Sequence, residues 1–273
     1  MCAEKQMGVV TQISLKQLNA LFPTYNFTEL HPTKSGIIDT TYIVDTASNS
    51  YILKRYERDI PTRIERDIKL LSELKSIGLN VPICLEESDG WYLYEKLIGA
   101  QPKNINAKHI QVMGRFLAKL HTYSSKTKCQ TNARVEYEVT SALAYAKTNF
   151  YAYYKKCEFL KKFTVNHDAF IHGDIFKDNT VFNGNQVGVF DFIDGACGTF
   201  AFDVAVTLVG FDTKIDNDYF INIFLRAYNQ HAPKKLTKQR VIHKMKIASH
   251  YYAIKRVYKY KNTFRAKELI KWI

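Results

Sequence analysis

The segment FIHGDIFKDN, residues 170–179, places several polar side chains directly after an apolar stretch. Within it Asp174 is followed by Asn179, and a predicted hairpin leads from there to Asp191 in the segment VFDF. A carboxylate beside a hydroxyl group can orient that group and accept its proton. An amide oxygen and a second carboxylate are hard ligands that suit Mg2+ bound to the phosphates of a nucleotide. The spacing of these three residues therefore predicts a catalytic loop for phosphoryl transfer.

Each residue of this set also has an ordinary structural explanation when it is taken alone. Asp and Asn are common in turns and helix caps, and His172 could be a hydrogen-bonded core histidine. The spacing of the whole set, with predicted strands on both sides, favours the catalytic interpretation because unrelated turn residues have no reason to recur in this pattern.

The first part of the chain is predicted to be rich in strands that would support such a loop. Residues 41–44 and 51–56 are two runs of β-favouring residues on either side of a polar loop. A second hairpin is predicted around the turn Asp89-Gly90, which separates VPICLEES from WYLYEKL.

From about residue 106 the apolar residues recur at helical spacing. Short strands return in AFIH, TVFNG and QVGVFDF, and from residue 200 onward the pattern is helical again. This order predicts an α+β fold with a small N-terminal antiparallel β lobe, residues 1–96, and a larger, mainly helical C-terminal lobe, residues 97–273. A cleft between two lobes is a common place for a ligand site.

The positive charge of the chain is concentrated at its end. The formal net charge is +13, and within residues 234–273 the only acid among many Lys and Arg residues is Glu268. Such a stretch could bind nucleic acid or an anionic surface. The apolar residues interleaved there favour a solvated helical face instead, or a basic wall beside an anionic substrate.

The cysteines point to a reducing compartment. They are odd in number and scattered, and no two form a CxxC pair, so we predict free thiols and neither a disulfide framework nor a zinc site (Cys2, Cys84, Cys129, Cys157, Cys197). The start MCAEKQMGVV does not have the pattern of a secretory signal, and no run of apolar residues is long enough to span a membrane. The expectation is a cytoplasmic protein that makes no membrane contact.

The motifs HGDIFKDN and VFDF, with FAFDVA further along, resemble those of the aminoglycoside phosphotransferase and choline kinase family, which is related to the protein kinases. The resemblance covers roughly residues 30 to 250 and implies a protein-kinase-like fold that uses ATP and Mg2+. It also implies that Asp174 is the catalytic base, that Asn179 and Asp191 are the magnesium ligands, and that His172 and Asp203 support the catalytic loop from behind.

The same resemblance implies a lysine on a strand that reaches the α- and β-phosphates, and Lys54 in YILKRY fits that position. Its partner should be an acid on the helix that follows. That helix is predicted to begin with a capping box formed by Thr62 and Glu65. Glu65 is favoured over Asp67 as the partner of Lys54, although both remain candidates.

Two further segments are expected to contact the nucleotide. The segment SGIIDTT precedes Lys54 and offers Gly36 and the hydroxyl of Thr40 to the phosphates. The backbone between the lobes, from Tyr94 through Glu95 to Leu97, is expected to hydrogen-bond to adenine.

Within the superfamily, HGDIFKDNTVF, GVFDFIDGACGTFAFDVAVTLVGF and GLNVP are most similar to the homoserine kinases of this fold. This similarity implies transfer of the γ-phosphate of ATP to L-homoserine, a step towards threonine. The alternatives are a choline, ethanolamine, amino-sugar or aminoglycoside kinase. A different class of protein is also considered, a non-catalytic binding protein that uses the basic C-terminal stretch.

An amino-acid acceptor places its own demands on the site. Its ammonium group needs a carboxylate, for which Asp194 and Asp212 are candidates. Its carboxylate needs a cation, and Arg fits a carboxylate better than Lys does because its planar fork offers paired donors. Arg256 and Lys255 are the candidate cations, and the sequence does not decide between them.

Overall fold

The structure is a computed structural model that describes residues 9–33, 38–129, 134–162, 167–261 and 263–271. The chain divides into two compact units. The first contains the residues up to Gly99 and the short segment Gly188–Ile193, and the second contains the rest of the chain. The domain boundary placed between residues 96 and 97 from the sequence stays a prediction.

The first unit is built on a five-stranded antiparallel sheet with the strand order β1-β2-β3-β5-β4. Its strands and helices have the following bounds: α1 Leu15–Leu21, β1 Glu29–Pro32, β2 Thr40–Asp45, β3 Ser50–Arg55, α2 Pro61–Ser76, β4 Cys84–Ser88 and β5 Trp91–Glu95.

Alternation of side chains along the strands explains why this sheet has one buried face. In β2 the residues Tyr42 and Val44 are buried, and on the neighbouring strands Leu53 and Leu93 are buried with them. These side chains form one core with residues from α1, including Leu18. The alternation therefore determines which side chains of β3 face the core.

The hairpin between β4 and β5 turns at Asp89 and Gly90, as the sequence predicts. Both residues have positive φ, 50° and 74°, which is the conformation that two-residue hairpin turns favour. Because this turn type depends on two adjacent residues, it can be recognised without knowledge of the rest of the fold.

The predicted helix after β3 is present as α2, but the predicted capping box is wrong. The helix begins at Pro61 with Ile60 as its N-cap, and no side chain caps it. Proline suits the first helical position because its missing N–H has no partner there in any case. Thr62 therefore lies inside the first turn, and Glu65 is an exposed residue with no capping role.

The second unit consists mainly of helices, which have the following bounds: α3 Ala107–Ser124, α4 Arg134–Asn149, α5 Tyr151–Cys157, α6 Phe200–Gly210, α7 Asp218–Asn229, α8 Lys238–Tyr260 and α9 Thr263–Lys271. Helix α8 packs against α4, α6 and α9, while α3 packs against α7. The basic C-terminal stretch thus forms helices whose apolar residues, such as Val241 and Met245, lie in the core.

Short strands lie between these helices in the chain: β6 Ala169–Ile171, β7 Thr180–Asn183, β8 Gln186–Val189 and β9 Ala196–Gly198. Strand β6 pairs antiparallel with β9, and β7 and β8 form a separate two-stranded sheet. A mainly antiparallel sheet followed by a mainly helical region confirms the predicted α+β class.

The prediction of free thiols is wrong for two of the cysteines. Cys129 and Cys197 form a disulfide across a sequence separation of 68 residues. Cys84 and Cys157 are free, and burial raises the pKa of their thiols to about 11 and about 12. Cys2 lies outside the described residues. The sequence could not reveal the disulfide because only the packing of distant segments brings its two residues together.

No helix within the described ranges combines the length and the apolar character needed to cross a membrane.

Candidate active site

In the second unit, the candidate catalytic loop starts where β6 ends. Gly173 has a φ of 71°, which favours glycine, and the chain then turns through a short 3₁₀ helix at Lys177–Asn179. The N–H of Asp174 donates to Nδ1 of His172 at 3.2 Å, and the amide of Asn179 donates to the carbonyl of Asp174 at 2.8 Å. The loop is therefore cross-linked by its own side chains. The bond from the Asn179 amide nitrogen leaves its oxygen as the atom suited to a cation.

Asp203, in the first turn of α6, holds this loop from its buried side. It accepts hydrogen bonds from the N–H of His172 at 3.1 Å and from the N–H of Gly173 at 2.7 Å. It also contacts Nε2 of His121 at 3.1 Å, and the other ring nitrogen of that histidine contacts the hydroxyl of Tyr228 at 2.7 Å. The side chains of Asp203, His121 and Tyr228 are buried, so they form a satisfied polar network.

The charge state of Asp203 follows from this network. Burial by itself raises the pKa of the carboxyl group, but the hydrogen bond and charge of His121, with contributions from His172 and Gly173, outweigh it. The pKa of Asp203 therefore lies below its usual value, and the group is ionised at neutral pH. His121 was not predicted as a site residue, because in the sequence it is a lone histidine at the end of the apolar segment HIQVMGRFLAKLH.

Helix α8 covers the other side of the loop with Tyr252, which was not predicted from the sequence either. The hydroxyl of Tyr252 donates to the carbonyl of Gly173, and its ring lies 4.9 Å from the ring of Phe176. Burial, together with the charge and hydrogen bond of Asp174, raises the pKa of Tyr252 well above its usual value. The phenol is thus a stable donor beside Asp174. The sequence signal for Tyr252 is limited to its position in a predicted helix, one turn before Arg256.

Asp212 forms two ion pairs within the second unit. Its carboxylate accepts hydrogen bonds from Lys177 of the loop and from Arg265 of α9, the latter at 3.2 Å. Two cations of the protein therefore pair with this acid, which links the catalytic loop to the last helix. The expectation that Asp212 binds the ammonium group of an acceptor stays a prediction. Asp194 is half-buried, and its role stays a prediction.

In the first unit, Lys54 and Asp191 form an ion pair, with 2.9 Å between Nζ and Oδ1. Lys54 lies on β3, and Asp191 follows β8 in a backbone conformation with a φ of 68°, which is uncommon for a residue other than glycine. Burial opposes the charge of Lys54, but the carboxylates of Asp191 and Asp39 outweigh it and raise the pKa of the lysine. The residues expected to contact phosphate and metal are therefore in direct contact.

The predicted pair of Lys54 with Glu65 is not present. Glu65 is exposed on α2, and the ion-pair partner of Lys54 is Asp191. Asp67, the second candidate, is buried near Tyr56 and Tyr94, where its charge contributes to raising the pKa of both phenols after the larger effect of burial. The helical register decides this outcome, because it directs Asp67 inward and Glu65 towards solvent.

Thr40 lies in a hydrogen-bond network of the first unit. Its buried hydroxyl donates to Glu57 at 2.6 Å and accepts from the N–H groups of Val10 and Thr11. These bonds use the one donor and the two acceptor sites that a hydroxyl offers. Contact of the Thr40 hydroxyl with phosphate stays a prediction. Gly36 lies outside the described residues.

The segment expected to contact adenine begins in the sheet. The hydroxyl of Tyr94 lies 3.0 Å from that of Tyr56, and its backbone is paired within the sheet. The N–H of Glu95 donates to the carbonyl of Ile83 at 3.0 Å. Leu97 follows the end of β5 in an irregular segment. Adenine binding by Tyr94, Glu95 and Leu97 stays a prediction.

Comparison with known proteins relates the chain to a family of phosphotransferases. The family model described as Phosphotransferase enzyme family, APH, matches residues 29–236. A homoserine kinase from Methylobacillus flagellatus is 26% identical over an alignment of 257 residues, and the match covers 85% of this chain and 80% of that enzyme. A homoserine kinase from Polaromonas naphthalenivorans is 27% identical over an alignment of 228 residues, and the match covers 74% of this chain and 72% of that enzyme.

A solved structure shows the same fold. The amicoumacin kinase hAmiN, in complex with AMP-PNP, Ca2+ and Ami, superposes with a TM-score of 0.69 at 15% sequence identity. The match covers 94% of this chain and 90% of that chain. The similarity confirms the protein-kinase-like fold that the sequence motifs implied.

Proposed function

Since the chain belongs to the phosphotransferase enzyme family and is an ATP-dependent small-molecule phosphotransferase, we propose that the hydroxyl it phosphorylates is that of L-homoserine. The observation that carries this proposal is the match, over most of the chain, to enzymes named homoserine kinase. The loop geometry supports phosphoryl transfer, because Gly173, which precedes Asp174, is held by Asp203 on one side and by Tyr252 on the other.

In this proposal Asp174 orients the acceptor hydroxyl and accepts its proton as the phosphoryl group is transferred. Lys54 contacts the α- and β-phosphates. Asn179 and Asp191 hold Mg2+, which neutralises phosphate charge when it is bound. One amide oxygen and one carboxylate fit that ion, since Mg2+ takes few protein ligands and completes its shell with water and phosphate oxygens. Asp203, together with His172, maintains the shape of the loop.

The remaining nucleotide contacts are proposed on the strength of the family. Gly36 approaches the phosphates, and the backbone from Tyr94 to Leu97 contacts adenine. Asp194 is favoured over Asp212 for the ammonium group of the acceptor, since Asp212 already pairs with Lys177 and Arg265.

Replacing Asp191 tests the metal assignment. We expect Asp191→Ala to weaken Mg-ATP binding by at least about 10-fold, because even groups that only support metal ligands contribute that much to metal affinity. Titration calorimetry with ATP at several Mg2+ concentrations measures the effect. Asp59→Ala removes an exposed acid from the same unit and is expected to bind Mg-ATP normally. An Asp191→Ala protein with unchanged Mg2+ dependence would contradict the assignment.

The choice of acceptor is tested directly by a coupled assay of ADP release. The panel contains L-homoserine, choline, ethanolamine, an amino sugar and an aminoglycoside at matched concentrations, with Mg-ATP saturating. We expect the highest kcat/KM with L-homoserine, and O-phosphohomoserine as the product detected by mass spectrometry. A higher kcat/KM with any other acceptor on the panel rejects homoserine while leaving the phosphotransferase activity in place.

A further inference from the structure

Arg256 is placed to face the candidate catalytic loop. It follows Tyr252 by one helical turn on α8, so the two side chains lie on the same face of that helix. The central carbon of its guanidinium group is 5.7 Å from the centre of the Phe176 ring. Tyr252 contacts the same ring and also Gly173. The two residues of α8 therefore flank the loop segment that contains Asp174.

The charged guanidinium group of Arg256 receives little stabilisation from the residues around it. The side chain is half-buried, and its Nε is shielded from solvent with no hydrogen-bond partner among the residues that the structure describes. Removing such a donor from water without a partner costs free energy, and for a charged group the cost is larger. The ring of Phe176 offsets a part of this cost through a cation–π contact.

Neighbouring cations of the second unit, unlike Arg256, lie close to carboxylates of the protein. Lys255 and Lys259 lie 3.8 Å and 2.9 Å from the carboxylate oxygens of Glu138. Lys177 and Arg265 both pair with Asp212. Each of these cations has a carboxylate of the protein, whereas Arg256 contacts the face of an aromatic ring.

We infer that Arg256 binds the carboxylate of the acceptor and selects acceptors that carry one. This inference rests on the proposed function and deepens it. A guanidinium fork can donate two parallel hydrogen bonds to a carboxylate, which offsets the cost of holding the charge there and fixes the direction of the acceptor. An acceptor held in this way beside Phe176 presents its hydroxyl to the loop that carries Asp174. The same positive charge disfavours cationic acceptors without a carboxylate, such as choline.

The partner anion could instead be a phosphate of ATP, since guanidinium binds phosphate as well as carboxylate. The experiment separates the two sources. Steady-state KM values are measured for L-homoserine and for ATP, and the acceptor 3-amino-1-propanol, which is homoserine without its carboxylate, is tested in parallel. The variants are Arg256→Gln, Arg256→Lys and the control Lys246→Gln, which removes an exposed charge from the same helix.

We expect Arg256→Gln to raise the KM for homoserine by about 10- to 100-fold, the range expected for lost hydrogen bonds to a charged group. The KM for ATP should not rise. The activity with 3-amino-1-propanol should not fall. Arg256→Lys, which keeps the charge but loses the fork, should give an intermediate KM for homoserine, and Lys246→Gln should match the wild-type protein. Thermal melting shows whether Arg256→Gln is folded. The intermediate KM for homoserine in Arg256→Lys separates a loss of carboxylate binding from a packing defect.

Each other result overturns the inference in a recognisable way. A raised KM for ATP with normal KM for homoserine assigns Arg256 to the nucleotide. Unchanged KM values in Arg256→Gln, or equal losses with homoserine and 3-amino-1-propanol, remove its role in recognising the carboxylate. If the wild-type protein prefers an acceptor without a carboxylate, the proposed function fails together with the inference, and this is visible before any variant is made.

Discussion

Asp174→Asn is expected to lower kcat for phosphoryl transfer by about 10²- to 10⁴-fold, the usual contribution of a positioned general base. The amide has nearly the shape of the carboxylate, so the fold of the loop is retained. The backbone of Asp174 still donates to His172 and accepts from Asn179, and the hydroxyl of Tyr252 still bonds to Gly173. What is lost is the group that accepts the proton of the substrate.

The measurement is kcat with L-homoserine, accompanied by the affinity for ADP and Mg2+ from titration calorimetry. Nucleotide affinity should be retained, because Asp174 is proposed to act on the acceptor. Asp178→Asn is a matched control, since it makes the same chemical change at an exposed position four residues further along the loop. Turnover near the wild-type value in Asp174→Asn would show that another group accepts the proton.

Asp203→Ala is expected to destabilise the protein by about 3–5 kcal/mol, the range found when one partner of a buried charged pair is removed. The substitution leaves the N–H groups of His172 and Gly173 and the ring of His121 without their common acceptor in a buried place. Unsatisfied buried donors account for the size of the effect. Equilibrium unfolding in urea measures it, and Asp216→Ala at an exposed site is the control, expected within about 0.5 kcal/mol of the wild-type protein.

The pH dependence of stability provides a second measurement on the same residue. The pKa of Asp203 is lowered in the folded protein, so the unfolded chain takes up a proton at a higher pH than the folded chain. Its stabilising contribution is therefore present above the usual Asp pKa of 3.8 and is lost as the pH falls through the folded-state value. We expect Asp203→Asn to weaken this acid-induced loss of stability. Identical pH profiles for the two proteins would contradict the charged role of Asp203.

Much of the fold could be predicted from the sequence because its determinants are local. The turn at Asp89-Gly90 depends on two adjacent residues, and the sheet strands depend on alternation over a few residues. The helical region after residue 200 depends on apolar spacing along one segment. The loop HGDIFKDN also has its chemistry within a few residues, which is why Asp174 and Asn179 could be proposed as site residues from the order of residues alone.

Side chains have partners other than the expected ones where local patterns compete with tertiary contacts. Thr40 has the residue type that contacts phosphate, but β2 places its hydroxyl in a buried network with Glu57. Glu65 has the longer side chain, but the register of α2 turns it to solvent and turns Asp67 inward. In both cases the sequence specifies which side-chain groups are present. Their burial and the register of the strand or helix determine which groups they contact.

The amino-acid sequence by itself determined the α+β class, the hairpins and the helical second half, and it provided the residues proposed for phosphoryl transfer. Only the tertiary structure decided the pairing of Lys54 with Asp191, of His121 with Asp203 and of Cys129 with Cys197, whose members are 137, 82 and 68 residues apart. Turn and periodicity patterns act over a few residues, so they are readable from the chain alone. A contact between distant residues depends on how whole elements pack, and no short-range pattern encodes its partner.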